Sequence, residues 1–212
     1  MKVAILSESD ADEAAIRILL DGLLGVRIDL VGNLPLRSRG WPSVRNVLPS
    51  VLAHLHYHKP VDAFAVVVDS NSSPLHQGPT GQLCPDEDPC RLCQVRRAVN
   101  QVQGRLRPVP GRIPVKVAVG LAVPAIEAWY LCGAKTGVFE EAWARGLQSG
   151  RFPYTKNELK QSAYGTDRPS IGLETRKAGE HASRLSADLA QLKRLFPIGF
   201  GCFASQVRAW LV

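Results

Sequence analysis

Apolar residues along the chain fall into short runs of strand character separated by longer stretches of helical period. Residues 2–6 form a brief apolar run, which predicts a buried strand. Residues 11–24 place Ala15, Ile18, Leu19 and Leu23 on one face, predicting a helix that stops at Gly25. Val26, Ile28 and Leu30 alternate through 26–31, predicting a second strand. Residues 33–42 are loop-like, and 43–57 read as a helix with Ser43 as candidate N-cap. The run AFAVVV within 62–68 is the strongest strand signal, entered from a turn at Lys59 and Pro60. No periodicity follows across 69–89, a stretch rich in Ser, Pro, Gly, Asp and Cys. A structureless loop of about twenty residues in a compact domain usually has a function or a staple.

A basic helix is expected over 91–106 and a fourth strand over 115–119. Pro124 opens a helix carrying Glu127, Trp129 and Leu131, and 140–147 form another. Residues 150–172, with Pro153, Gly165 and Pro169, read as irregular. One long amphipathic helix is expected over 173–195 and a terminal helix over 204–211. Strands separated by helices imply an α/β fold: a Rossmann-like domain with about four mostly parallel strands flanked by helices. The expected division is an α/β domain over 1–140, with a Cys-rich loop insert at 70–93. An all-helical C-terminal extension over 141–212 packs on it.

Composition narrows the function classes. The 212 residues are 45% hydrophobic and 21% charged, which excludes a disordered chain. No apolar run approaches the roughly 18–20 residues that span a bilayer, so no membrane partner is expected. The N-terminal apolar run turns acidic at once and lacks a signal-peptide cleavage pattern, so a cytoplasmic location is expected. The five cysteines then need an explanation other than disulfides. The net charge of +7 is segregated: residues 1–90 carry −4, residues 91–116 carry +7, residues 117–142 carry −2, and residues 143–212 carry +6. Such a partition suits a site holding cations beside one holding anions; basic residues solvated on helix faces give the same pattern.

In an open parallel sheet, ligands bind beyond the carboxyl ends of the strands. Three of the four expected strands deliver carboxylates there. The first leads to Glu8, with Asp10, Asp12 and Glu13 behind it; the third ends at Asp69, with Asn71 two residues on; the fourth is followed by Glu127. Converging carboxylates repel unless a cation lies between them, and hard divalent cations such as Mg²⁺ or Mn²⁺ favour oxygen ligands. Asp10 and Asp12 also suit the first turn of a helix on capping and dipole grounds alone.

These motifs resemble a TOPRIM-like (topoisomerase–primase) family of small bacterial proteins, often found beside ATPases in phage-defence loci. AILSESDADEAAIRILLDGLL is similar to the family's "EGxTEE" opening, DSN at 69–71 to its DxD motif, and PAIEAWYL to its "IEAW" motif. The end, GFGCFASQVRAWL, resembles the family's last helix. The resemblance places Glu8, Asp69 and Glu127 on acidic motif positions, with Asp12 and Glu13 on the acidic pair. It implies a TOPRIM domain and Mg²⁺-dependent phosphodiester chemistry, with Glu8, Asp12, Asp69, Asn71 and Glu127 as catalytic or metal-binding residues. Two positions depart from the pattern: Ser9 replaces the glycine and Asn71 the second acid. Asn brings no charge, which weakens the case for a two-metal site.

Cys84, Cys90 and Cys93 lie in LCPDEDPCRLC, and Cys90 and Cys93 have the C-x2-C spacing of a zinc site. His76 is the nearest candidate for a fourth ligand, with His54, His56 or water as others. The competing readings are a redox pair or free thiols. Cys132 and Cys202 sit in apolar surroundings and read as core residues.

Arg91, Arg96, Arg97, Arg105 and Arg107, with Arg112 and Lys116, are candidates for phosphate contacts in a nucleic-acid groove. Arg176 and Lys177, with Arg168 and Arg184, are candidates for its second wall. The expected function is a nuclease acting on DNA or RNA, an effector paired with an ATPase partner in anti-phage defence. The alternative is a non-catalytic binding or regulatory subunit docking an ATPase or nucleic acid. A receiver-like domain using Glu8, Asp10 and Asp69 is disfavoured, because Gly-Leu-Ala-Val-Pro rather than a Lys follows the last strand.

Overall fold

A computed structural model describes residues 1–32, 34, 40–76, 83–84 and 90–211. Four strands, β1 (Lys2–Leu6), β2 (Asp29–Leu30), β3 (Ala63–Asp69) and β4 (Lys116–Ala122), form one parallel sheet in the order β2-β1-β3-β4. The crossovers are α1 (Asp10–Leu24), α2 (Gly40–Tyr57) and α3 (Arg91–Gln103). After β4 come α4 (Ile126–Tyr130), α5 (Glu140–Ser149), α6 (Lys156–Tyr164), α7 (Ile171–Ser186), α8 (Leu189–Leu195) and α9 (Cys202–Arg208).

Residues 63–68 of β3 are buried throughout, as expected of a parallel strand covered on both faces. α2 and α3 pack on one another and reach β3 and β4, while α1, α7 and α9 pack together and against β1 and β4. Residues after 140 therefore supply part of the layer that covers the sheet. Phe196, Phe200 and Phe203 lie fully buried in this layer. A π-helical turn at Pro197–Gly201 brings the backbone against β4, where a Cβ on Gly199 would lie 2.1 Å from the Leu121 carbonyl oxygen. Only glycine permits that approach.

Several expected elements change. β2 shrinks to two residues because the Ile28 N–H donates to the Asp21 carboxylate (2.8 Å) rather than to a strand neighbour. β4 extends to Ala122, since Asp69 of β3 pairs as far as that residue. α2 begins at Gly40, inside the expected loop, whose residues 33 and 35–39 lie outside the described set. The helix opened by Pro124 reduces to the five residues of α4.

The stretch expected to be irregular contains α6, started by a capping box: Thr155 accepts from the Glu158 N–H while Glu158 accepts from the Thr155 N–H. The single long helix of 173–195 is two, because Asp188 caps a new one by accepting from the Gln191 N–H at 3.0 Å. The terminal helix starts at Cys202 and ends as a 3₁₀ turn at Ala209–Leu211. Among the described residues, no helix is long and apolar enough to cross a membrane.

Candidate functional site

The carboxyl edge of the sheet carries two polar clusters joined through the start of α3. The first contains the acids. Ser9 is the N-cap of α1, accepting from the Asp12 N–H at 3.2 Å. Its φ of −152° is extended and requires no glycine, so the serine at that position has its own local role. Glu8 accepts from the backbone N–H of Asp69 (2.9 Å), which ties the ends of β1 and β3 together. Asp69 accepts from the Ile126 N–H (3.0 Å). It thereby satisfies a donor at the start of α4, where Ala125 offers no side-chain cap. Glu127, on the same short helix, accepts a long hydrogen bond from the Tyr164 hydroxyl (3.4 Å).

Three cations face these acids. Arg91 lies 3.7 Å from Glu8 and donates to the Asp69 carbonyl at 2.8 Å. Lys156 lies 3.2 Å from Asp69 and donates to the Asn71 side-chain oxygen. Lys160 bridges Glu127 (3.9 Å) and Glu174 (3.5 Å). Asn71 sits in the left-handed region at φ 50°, a conformation asparagine tolerates better than most residues.

Burial is the largest influence on every one of these carboxyls. It raises Glu8 and Asp69 despite Arg91 and Lys156, with Asp69 adding to the rise at Glu8. Asp12 is raised well above the carboxylate range by burial and then by Asp69, Glu127 and Glu8; its proton affinity is opposed by a Ser9 hydrogen bond. Glu127 is pushed up to about 7 by burial and then by Asp69. The acids therefore hold protons or cations far more readily than exposed ones. The hydroxyl of Tyr130, fully buried, has no hydrogen-bond partner among the described residues, and it feels the charges of Asp12, Glu127 and Asp69.

The second cluster is His76, Cys84, Cys90 and Cys93, all buried, with ligand atoms within 4.8 Å of one another. His76 Nδ1 is 3.3 Å from the sulfurs of Cys84 and Cys93, and the Cys84 and Cys90 sulfurs are 3.7 Å apart. A tetrahedral zinc with bonds of about 2.3 Å to sulfur and about 2.0 Å to nitrogen sets such atoms roughly 3.8 and 3.5 Å apart. The cluster can therefore hold a metal ion such as zinc. Backbone N–H groups of Cys84 and Cys93 donate to the sulfurs of Cys93 and Cys90, and burial pushes the Cys90 thiol up strongly. Much of the intervening loop, 77–82 and 85–89, lies outside the described residues. None of the five cysteines forms a disulfide; Cys132 is buried and Cys202 half-buried.

Cys90 is the N-cap of α3, so the cluster fixes the residue before Arg91. The rest of the basic segment disperses. Arg97 donates to the Cys84 carbonyl, and Arg96 has a buried guanidinium nitrogen without a partner among the described residues. Arg112 donates to the carbonyls of His56 and Tyr57, and Lys116 to that of Trp210. Arg105 and Arg107 are exposed, but follow the far end of α3, toward the amino edge of the sheet. Arg176 is exposed on α7, Lys177 pairs with Glu180 at 2.7 Å, and Arg184 donates to carbonyls at the end of α4.

Sequence reasoning brought together Glu8, Asp12, Asp69, Asn71 and Glu127, and missed Lys156, Lys160, Tyr130 and Tyr164. The available signal was Thr155-x-x-Glu158, a capping box announcing a helix that puts two lysines four residues apart. No protein-family model, no curated protein and no solved structure matches this chain.

Proposed function

We propose that the chain is a Mg²⁺- or Mn²⁺-dependent phosphodiesterase of the TOPRIM type. In this reading it is a cytoplasmic nuclease acting with an ATPase partner in anti-phage defence, with structural zinc in its His/Cys cluster. One observation carries the nuclease reading: Glu8, Asp12, Asp69 and Glu127 influence one another at one sheet edge, and three of them, Asp12, Asp69 and Glu127, act on the buried Tyr130 hydroxyl, which has no hydrogen-bond partner among the described residues. The donors suit a hard cation, being oxygens, and three of the four carboxylates, Glu8, Asp69 and Glu127, each face a cationic side chain. The defence role and ATPase partner rest on the motif resemblance alone.

Asp69, Asn71, Glu8 and Glu127 would hold the cation, with Asp12 behind them. The chemistry supplied by such an ion would be polarisation of a phosphate and a lowered pKa for a water. Burial and then Asp69 push the Glu127 carboxyl up to about 7, and a cation held beside it would draw that carboxyl back to its charged form. Arg91 orients Glu8 and offsets its charge. The test is cleavage of plasmid DNA and of RNA with and without Mg²⁺ or Mn²⁺. Glu8→Ala and Asp69→Ala are expected to abolish cleavage while keeping the native circular dichroism spectrum. Activity at wild-type level in folded variants would overturn the reading.

A second reading has its own observation. Lys156 already neutralises Asp69 and bonds Asn71, as a non-catalytic binding subunit would permit. Cation-independent binding of nucleic acid or of an ATPase, with no cleavage even in the complex, supports it.

A further inference from the structure

We propose that Lys156 is a built-in counter-cation of the carboxylate site, which a divalent cation must displace in order to bind. This rests on the cation reading above and adds how access to the site is controlled. The Lys156 ammonium contacts both Asp69 and Asn71, the two side chains of the strand-end DSN segment. An ammonium and a divalent ion cannot both occupy hydrogen-bonding positions on the same two oxygens, because like charges at that separation repel strongly. Among the described residues, the carboxylates of this site form no ligand group as tight as the His/Cys one. Lys156 and Arg91 stand against them, and a smaller, doubly charged ion would draw them closer.

The lysine has somewhere to go. Its side chain is 38% exposed, against 16% for Asp69, so it can swing to solvent while the acid stays. It stands on the first residue of α6, whose capping box fixes the backbone there. α6 packs on α4 and α7, which keeps the displaced ammonium close to the site. A freed ammonium beside the cation is placed to receive an anionic oxygen, as on a phosphodiester. Cation and anion then favour one another's binding through Lys156. Lys160 is the natural comparator: it stands on the same helix, but shares its charge between Glu127 and Glu174.

The experiment is titration of Mn²⁺ into the full chain, read by electron paramagnetic resonance of free Mn²⁺, with no dependence on activity. Lys156→Gln is expected to bind Mn²⁺ at least about five-fold more tightly than the wild type. Lys160→Gln is expected to shift affinity less. A Lys156→Gln affinity equal to or weaker than wild type, in protein with native circular dichroism, overturns the counter-cation role and leaves the cation reading standing. Absence of Mn²⁺ binding in wild type and Lys156→Gln alike, at millimolar metal, overturns both.

Discussion

At the His/Cys cluster, four ligand atoms already lie within 4.8 Å of one another. At the carboxylate cluster a few residues away, Lys156 and Arg91 stand among the acids at 3.2 and 3.7 Å. The difference follows from the chemistry of the groups. A protonated thiol and a neutral imidazole carry no charge and can approach without charge repulsion, so their geometry resembles the metal-bound one in advance. Carboxylates at neutral pH repel, and the fold supplies internal cations to let them meet. The first arrangement would suit a staple, the second a site whose occupant would have to compete.

The largest test of this contrast is to remove a ligand from the staple. Cys93→Ser or His76→Ala is expected to lower bound zinc below about half an equivalent and destabilise the chain. Structural zinc supplies folding energy directly, so a loss of about 3–5 kcal/mol, or roughly 10 °C in Tm, is expected for a chain of this size. Full zinc content, measured by elemental analysis in either variant, would dissolve the contrast. The same variants should also weaken cleavage, since Cys90 caps the helix whose next residue, Arg91, orients Glu8.

A middle-sized effect concerns pH. Glu127 and Glu140 are each raised to about 7, chiefly by burial; Glu140 accepts from the Ile198 and Gly199 N–H groups at 2.8 Å. Carboxyls raised in the folded state bind more protons there than in the unfolded chain. Stability therefore falls as pH rises from about 4.5 to about 7, by up to about 3 kcal/mol for each group, and then levels. Mn²⁺ is expected to flatten the part due to Glu127, leaving that of Glu140 beside the π-helical turn. Thermal melts from pH 5 to 8, with and without Mn²⁺, separate the two. A stability that rises across this range would contradict the burial assigned to both groups.

The smallest effect is expected from Thr155→Ala. Loss of the cap costs about 1 kcal/mol at the start of α6 and loosens the backbone beneath Lys156. A modest gain in Mn²⁺ affinity, in the direction of Lys156→Gln, is expected in the same titration; a loss would show that α6 helps hold the cation instead.

The two clusters also differed in how much the sequence disclosed. The cysteines were readable because C-x2-C encodes its geometry within one turn of chain, and His76 lay close by. The acids were readable because strand ends are marked by the apolar runs that precede them. Lys156 was not, since its partner Asp69 lies 87 residues away and local periodicity carries no trace of that pairing. Pro153, Gly165 and Pro169 made the surrounding stretch look irregular, although Gly165 in fact terminates α6 at φ 80°. The parallel sheet was legible from the alternation of strands and helices. The layer built by α7 and α9 was not, because an amphipathic helix does not announce which surface it will cover. The charge blocks misled in a further way: total charge does not show that Arg97, Arg112 and Lys116 are spent on backbone carbonyls.

The chain order of the carboxylate site has a consequence for its assembly. Synthesis at roughly 5–20 residues per second delivers Arg91 about 1–4 s after Asp69, 22 residues upstream. Lys156, a further span included in its 87-residue separation from Asp69, follows only after about 4–17 s. For much of that interval the growing chain holds Glu8, Asp12, Asp69 and Arg91, but neither Glu127 nor the lysines of α6. The acids at the ends of β1 and β3 thus come first and their lysine counter-charges last, supplied by a helix from the far half of the chain.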